Sequence, residues 1–130
     1  MIPLRKFFNR KEEDRHNYRI TVNQPIAIEI GETFKADRIM LKDLSLSGAR
    51  FELPSSATIP HLIHFHYLPF KMQIPGTPTI IDATIDVVRI YTRDANDNPV
   101  YGFAIEFEEI RKEHRLILEE FLKQKVANVN

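Results

Sequence analysis

Apolar and polar residues alternate along most of the chain, and the alternation breaks at short polar or proline-bearing stretches. Ile26, Ile28 and Ile30 fall on one side of an extended segment, with Ala27 and Glu29 on the other. This predicts a half-buried strand over residues 18–30, with Pro25 marking a break or an edge position. Gly31 and Glu32 turn the chain into a second strand over 34–41. After a short loop at 43–48, Ala49, Phe51 and Leu53 line one face of a third strand. A fourth is expected over 62–68. Residues 69–78 carry Pro69, Pro75 and Pro78, which argues against a helix there. Ile81, Ala83, Ile85 and Val87 alternate within a β-branched fifth strand over 79–93. The turn-forming cluster at 94–99 leads by a hairpin into a sixth strand over 100–107. Only at 111–125 does the period lengthen: Ile117 and Phe121, and Leu118 and Leu122, are four apart, and His114 lies three before Ile117. That is one apolar stripe on a helix. Six short strands followed by one helix predict an all-β fold, a small antiparallel barrel flanked by a C-terminal α-helix.

Composition narrows the function. A chain of 130 residues has the size of one domain. Lysine plus arginine and aspartate plus glutamate each number 18, so the net charge is zero. Domains that bind nucleic acid generically carry a large basic excess, and this chain does not. There is no cysteine, so disulfides, thiolate metal sites and cysteine nucleophiles are excluded. No stretch approaches the roughly 20 apolar residues needed to cross a bilayer. The N-terminal residues are charged but lack the apolar run of a secretory signal. The expectation is a cytoplasmic protein without membrane insertion. Residues 1–14 are densely charged, interrupted by Phe7 and Phe8. They read as a flexible arm, followed by the barrel and its helix over 15–126.

Two short motifs carry the candidate chemistry. Arg15-His16-Asn17-Tyr18-Arg19 spaces two arginines by four just before the first strand. Asp43-Leu44-Ser45-Leu46-Ser47-Gly48 is a D-x-S-x-x-G segment between the second and third strands. The arginine spacing alone is common and occurs twice more, at Arg89 with Arg93 and at Arg111 with Arg115. The second motif is more specific, because the chain has only four glycines. A guanidinium fork bonds bidentately to phosphate or to the O6/N7 edge of guanine, and its plane stacks on a base. A carboxylate such as Asp43 suits the donor edge of guanine, and Ser45 can donate or accept beside it. Gly48 permits positive φ or close approach of backbone and ligand. The less specific alternative is that Asp43 and Ser45 satisfy loop backbone donors while Arg15 and Arg19 pair with Glu12, Glu13 or Asp14.

In their order and separation the two motifs resemble those of PilZ domains. Residues 83–90 resemble the strand before that family's last hairpin, and Tyr101-Gly102-Phe103-Ala104-Ile105-Glu106-Phe107 resembles its closing strand. The resemblance spans roughly residues 10–122. It implies a six-stranded barrel that binds cyclic di-GMP. Arg15 and Arg19 would contact guanine and phosphate, the loop of Asp43 and Ser45 would hold a guanine, and Gly48 would complete the motif. It further implies an arm that closes over the barrel with ligand and signals to an unidentified downstream protein in biofilm- or motility-type control. Asp14 departs from the pattern, since many members carry a basic residue before the first arginine. The alternative is a PilZ-like interaction module that works without nucleotide. A third reading, a single-strand binder of the OB type, is disfavoured by the zero net charge.

His61, His64 and His66 cluster, but a regular strand puts His61 opposite the other two, and no further ligand is evident, so no metal is expected. There is no G-x-x-x-x-G-K loop and no H-E-x-x-H, hence no enzyme and no cofactor beyond the ligand itself.

Overall fold

The computed structural model describes residues 19–54 and 66–129. Six strands close into an antiparallel barrel: β1 (Ile20–Ile30), β2 (Phe34–Leu44), β3 (Gly48–Pro54), β4 (Leu68–Gln73), β5 (Ile80–Ala95) and β6 (Asn98–Ile110), in the order β1-β2-β3-β6-β5-β4. A helix, α1 (Lys112–Val129), follows. Among the described residues no helix is long and apolar enough to cross a membrane.

The alternation read from the sequence is the division between lumen and exterior. Ile26, Ile28, Ile30, Ile39, Leu41, Phe51, Ile81, Ile85, Val87, Phe103 and Ile105 point inward and are buried. A barrel of this size has an interior just wide enough to be filled by side chains. Phenylalanines occupy its middle: Phe51 meets Phe103 at 5.3 Å between ring centroids and Phe70 at 6.3 Å. On α1, Leu118 and Leu122 complete the core, while Ile117 stays 37% exposed, so the buried stripe is narrower than its periodicity suggests. His114 anchors the first turns of the helix, its Nδ1 accepting the Asp82 backbone N–H at 2.9 Å.

Three expectations are corrected. First, β4 begins at Leu68, where the fourth strand was expected to end, and runs past Pro69 to Gln73; His66 and Tyr67 are outside any strand, and residues 62–65 lie outside those described. The core positions are Phe70, Met72 and Ile74, a period-two pattern. Pro69 is tolerated because its carbonyl already faces the Gly31 N–H at 2.8 Å, beyond the end of β1. In an antiparallel strand a residue's N–H points to the same side as its carbonyl, so the missing donor faces Gly31 past the end of β1 and not the β4–β5 ladder, where Pro69 sits opposite Thr84. Second, β2 extends through Leu44 and β3 starts at Gly48, so the connecting loop is Ser45-Leu46-Ser47 alone. Third, the β5–β6 turn is tighter than expected: Ala95 pairs with Asn98, and Asn96 and Asp97 adopt φ of 51° and 67°. This is a two-residue hairpin of the type that matches strand twist.

Pro25 lies on the part of β1 beyond its pairing with β4, so it occupies a local edge. The register also shifts between Thr21 and Gln24, where Asn23 has φ of 53°.

Candidate functional site

Strand register assembles the motif residues. Ile20 pairs with Leu44 and Thr21 with Asp43. Arg19, exposed and one residue before β1, therefore leaves the barrel beside the β2–β3 loop. Asp43, Ser45 and Gly48 lie at that same end. Arg15, His16 and Asp14, and the expected arm, lie outside the described residues.

The loop is held by one hydroxyl. Ser45 is 5% exposed. Its Oγ accepts the backbone N–H of Ser47 at 3.2 Å and of Gly48 at 3.3 Å, and lies 3.0 Å from the Ser47 hydroxyl. Its own N–H donates to the Gly48 carbonyl at 2.9 Å, and the Ser47 carbonyl accepts the Phe107 N–H at 2.9 Å, which ties the loop to β6. Ser45 thus builds the loop, as the less specific alternative supposed. Gly48 is needed for close approach, not for positive φ: a Cβ there would overlap the Ile105 carbonyl oxygen of β6. The close approach is to a neighbouring strand.

Asp43, next to last in β2, lies opposite Arg50 of β3. Arg50 donates its Nε–H to Asp43 Oδ2 at 2.6 Å. A carboxylate has about four lone-pair sites, so one such bond leaves acceptor capacity. The Asp43 side chain is 18% exposed.

Arg50 belongs to a larger network on the outer face that the sequence reading missed. Glu52, although it points outward between the inward Phe51 and Leu53, is only 4% exposed. Arg93 grips it bidentately, Nε to Oε2 at 2.8 Å and Nη2 to Oε1 at 2.7 Å. Tyr91 donates its hydroxyl to Oε2 at 2.9 Å and accepts from Arg50 Nη1 at 2.7 Å. Arg50 Nη1 also lies 3.3 Å from Glu52 Oε2, and Lys42 Nζ lies 4.0 Å from Oε1. The guanidinium of Arg89 sits over the Tyr91 ring, 5.3 Å from its centroid. The Arg93 hydrogen bonds, reinforced by Tyr91 and outweighing burial, pull the Glu52 pKa from 4.5 to about 2. Burial works against the charge of Arg50, but its bonds to Asp43 and Tyr91 prevail and raise its pKa.

Tyr91 reaches Glu52 across β6 because Gly102 lies between them, paired with both residues. A Cβ on Gly102 would run into the Tyr91 ring. The available signals were the alternation Arg89-x-Tyr91-x-Arg93 on one side of β5 and the glycine opposite it. Taken only as another occurrence of the common arginine spacing, Arg89 and Arg93 do not reveal the acid beside them.

Of the three histidines, His61 and His64 lie outside the described residues. His66 Nδ1 lies 3.1 Å from Asp86 Oδ2, and the Tyr67 N–H donates to Asp86 Oδ1 at 3.0 Å. Among the described residues no group of three or more His, Asp or Glu side chains could hold a metal ion.

The class of the molecule is a small closed β-barrel domain with a polar motif loop at one end. The PilZ domain family model matches residues 13–124, and the chain belongs to that family. No curated protein matches the chain in sequence. Among solved structures, the chain resembles the PilZ domain of Escherichia coli YcgR with c-di-GMP, with a TM-score of 0.65 and 14% identity over 88% of this chain and 93% of that one. It also resembles the Bacillus subtilis inhibitor of motility MotI/DgrA, with a TM-score of 0.65 and 16% identity over 89% and 52%. A third likeness is the Borreliella burgdorferi PlzA protein in complex with c-di-GMP, with a TM-score of 0.59 and 10% identity over 96% and 58%. The chain spans little more than half the length of MotI and PlzA.

Proposed function

We propose that this PilZ domain is a cyclic di-GMP receptor that passes ligand binding on to a protein partner. The observation that carries the reading is the convergence of Arg19, Asp43 and the Ser45 loop at one end of the barrel, through the pairing of Ile20 with Leu44 and Thr21 with Asp43. In this reading Arg19, with Arg15, offers forks to phosphate and guanine O6/N7. Asp43 accepts from the guanine donor edge. Ser45 and Gly48 keep in shape the loop that meets the ligand beside Asp43. The role is binding, not catalysis. The YcgR domain and PlzA, solved with c-di-GMP, support the ligand class. MotI, an inhibitor of motility, supports motility-type control.

A second reading has its own support. Ser45 and Asp43 already have partners inside the protein, so the loop is self-supporting without nucleotide. That suits a module that docks on a partner independently of ligand.

Calorimetric titration with cyclic di-GMP, beside Arg19→Ala and with GTP as control, separates the two. Binding at about micromolar Kd or tighter, lost in Arg19→Ala and absent with GTP, is the expected outcome. No heat and no competition from folded protein would leave the docking module.

A further inference from the structure

We propose that Glu52 is a positioning residue for the Asp43 acceptor, acting through Arg50 and Tyr91 across the gap that Gly102 leaves in β6. As a statement about ligand affinity it rests on the cyclic di-GMP reading; as a statement about the geometry of Asp43 it does not.

A lone arginine at a barrel surface samples many rotamers, and an ion pair it makes there is weak. Arg50 is held at both ends of its guanidinium. Nε is committed to Asp43 at 2.6 Å, and Nη1 to the Tyr91 hydroxyl at 2.7 Å and Glu52 at 3.3 Å. The fork is planar and rigid, so fixing Nη1 fixes the direction of Nε–H and with it the plane in which Asp43 Oδ2 must lie. Glu52 is in turn immobilised. It is 4% exposed and bidentate to Arg93, and it accepts the Tyr91 hydroxyl. The order of the strands makes this possible. Glu52 is on β3 and Tyr91 on β5, with β6 between them. A side chain at 102 would block the ring from the position it occupies. The chain thus places a buried acid, an aromatic hydroxyl and a gap in three strands to orient one arginine toward the motif aspartate. A surface ion pair needed only for solubility has no use for a desolvated carboxylate with several donors.

The test is a double-mutant cycle on cyclic di-GMP affinity together with a ligand-free measurement. Glu52→Gln should weaken binding roughly three- to tenfold. In an Asp43→Ala background the same substitution should change Kd no further, because the group it positions is gone. Tyr91→Phe, which keeps the ring over Gly102 and removes only the hydroxyl, should act in the same direction and also be silent in Asp43→Ala. It serves as the second probe if Glu52→Gln folds poorly. Without ligand, the arginine side-chain NMR spectrum should show the Arg50 Nε–H protected in the wild type. It should move to the position of a free arginine in Glu52→Gln, although Asp43 is intact. A structural role alone would lower the melting temperature of both variants yet leave the Arg50 signal in place and the affinity effects additive with Asp43→Ala. That result would overturn the proposal. If the wild type does not bind cyclic di-GMP, the receptor reading fails, and the Arg50 signal still decides the positioning role.

Discussion

Among the turns that join neighbouring antiparallel strands of this barrel, the β5–β6 and β2–β3 turns are built by different means. The β5–β6 turn is made by backbone alone: Asn96 and Asp97 take positive φ, both are exposed, and the strands continue to Ala95 and Asn98 on either side. The β2–β3 turn is made by a side chain. The buried Ser45 hydroxyl accepts two backbone donors, and Gly48 lets β3 lie against Ile105. Outside it, Arg50 pins Asp43 to the strand that follows. The first turn closes a hairpin. The second holds the motif, and almost every polar atom named in it has an assigned partner. A site built to meet a ligand in one geometry benefits from such a frame, since side chains fixed beforehand lose less entropy on binding.

The largest effect expected from breaking that contrast is Gly48→Ala. The added methyl meets backbone, which cannot rotate away, so β3 and β6 must separate locally. A loss of about 3 kcal/mol or more in urea unfolding is expected. An unchanged midpoint would mean that the close approach relaxes easily.

Acid titration comes next. The Glu52 pKa falls from 4.5 to about 2 on folding. Its contribution is therefore complete above the unfolded value and is lost as the pH drops from about 5 toward 2. Asp86, whose pKa is also lowered (its bonds from His66 and Tyr67 outweigh burial), adds in the same direction. The wild type should lose on the order of 2–3 kcal/mol from Glu52 over this range. Glu52→Gln should show a shallower acid limb in unfolding midpoints measured at a series of pH values.

Ser45→Ala removes the acceptor of two backbone N–H groups and should cost about 1–2 kcal/mol. Amide exchange should speed up at Ser47 and Gly48 while the Asn96–Asp97 turn is unaffected. The smallest effect is expected at that turn. Asp97→Gly relieves a φ of 67° on a residue with a Cβ, and should stabilise by about 0.5 kcal/mol with no change at the β2–β3 loop.

Much of the barrel was legible in advance because strand alternation is a local signal: Ile26-x-Ile28-x-Ile30 and Ala49-x-Phe51-x-Leu53 point inward as they read. The fourth strand was misplaced because residues 62–68 also alternate. The prolines flanking Phe70-x-Met72-x-Ile74 argued only against a helix and masked the period-two pattern between them. What admits Pro69 is the end of β1 beside it, a fact about a strand some forty residues away. The motif positions Arg19, Asp43, Ser45 and Gly48 were likewise visible as residue types in a spacing. That Ser45 faces into its own loop, and that Gly48 serves β6, could not be read there.

The sequence by itself determined the inward faces of β1, β3 and β5, the turns near Gly31 and Asn96 and the motif the chain carries, since each depends on neighbours within a few positions. Only the tertiary structure decided that Glu52, Tyr91, Arg93 and Arg50 form one network behind Asp43. Those residues come from β3 and β5, strands separated by β6, and they meet only when the barrel closes in its particular order and a glycine leaves room for a ring to cross.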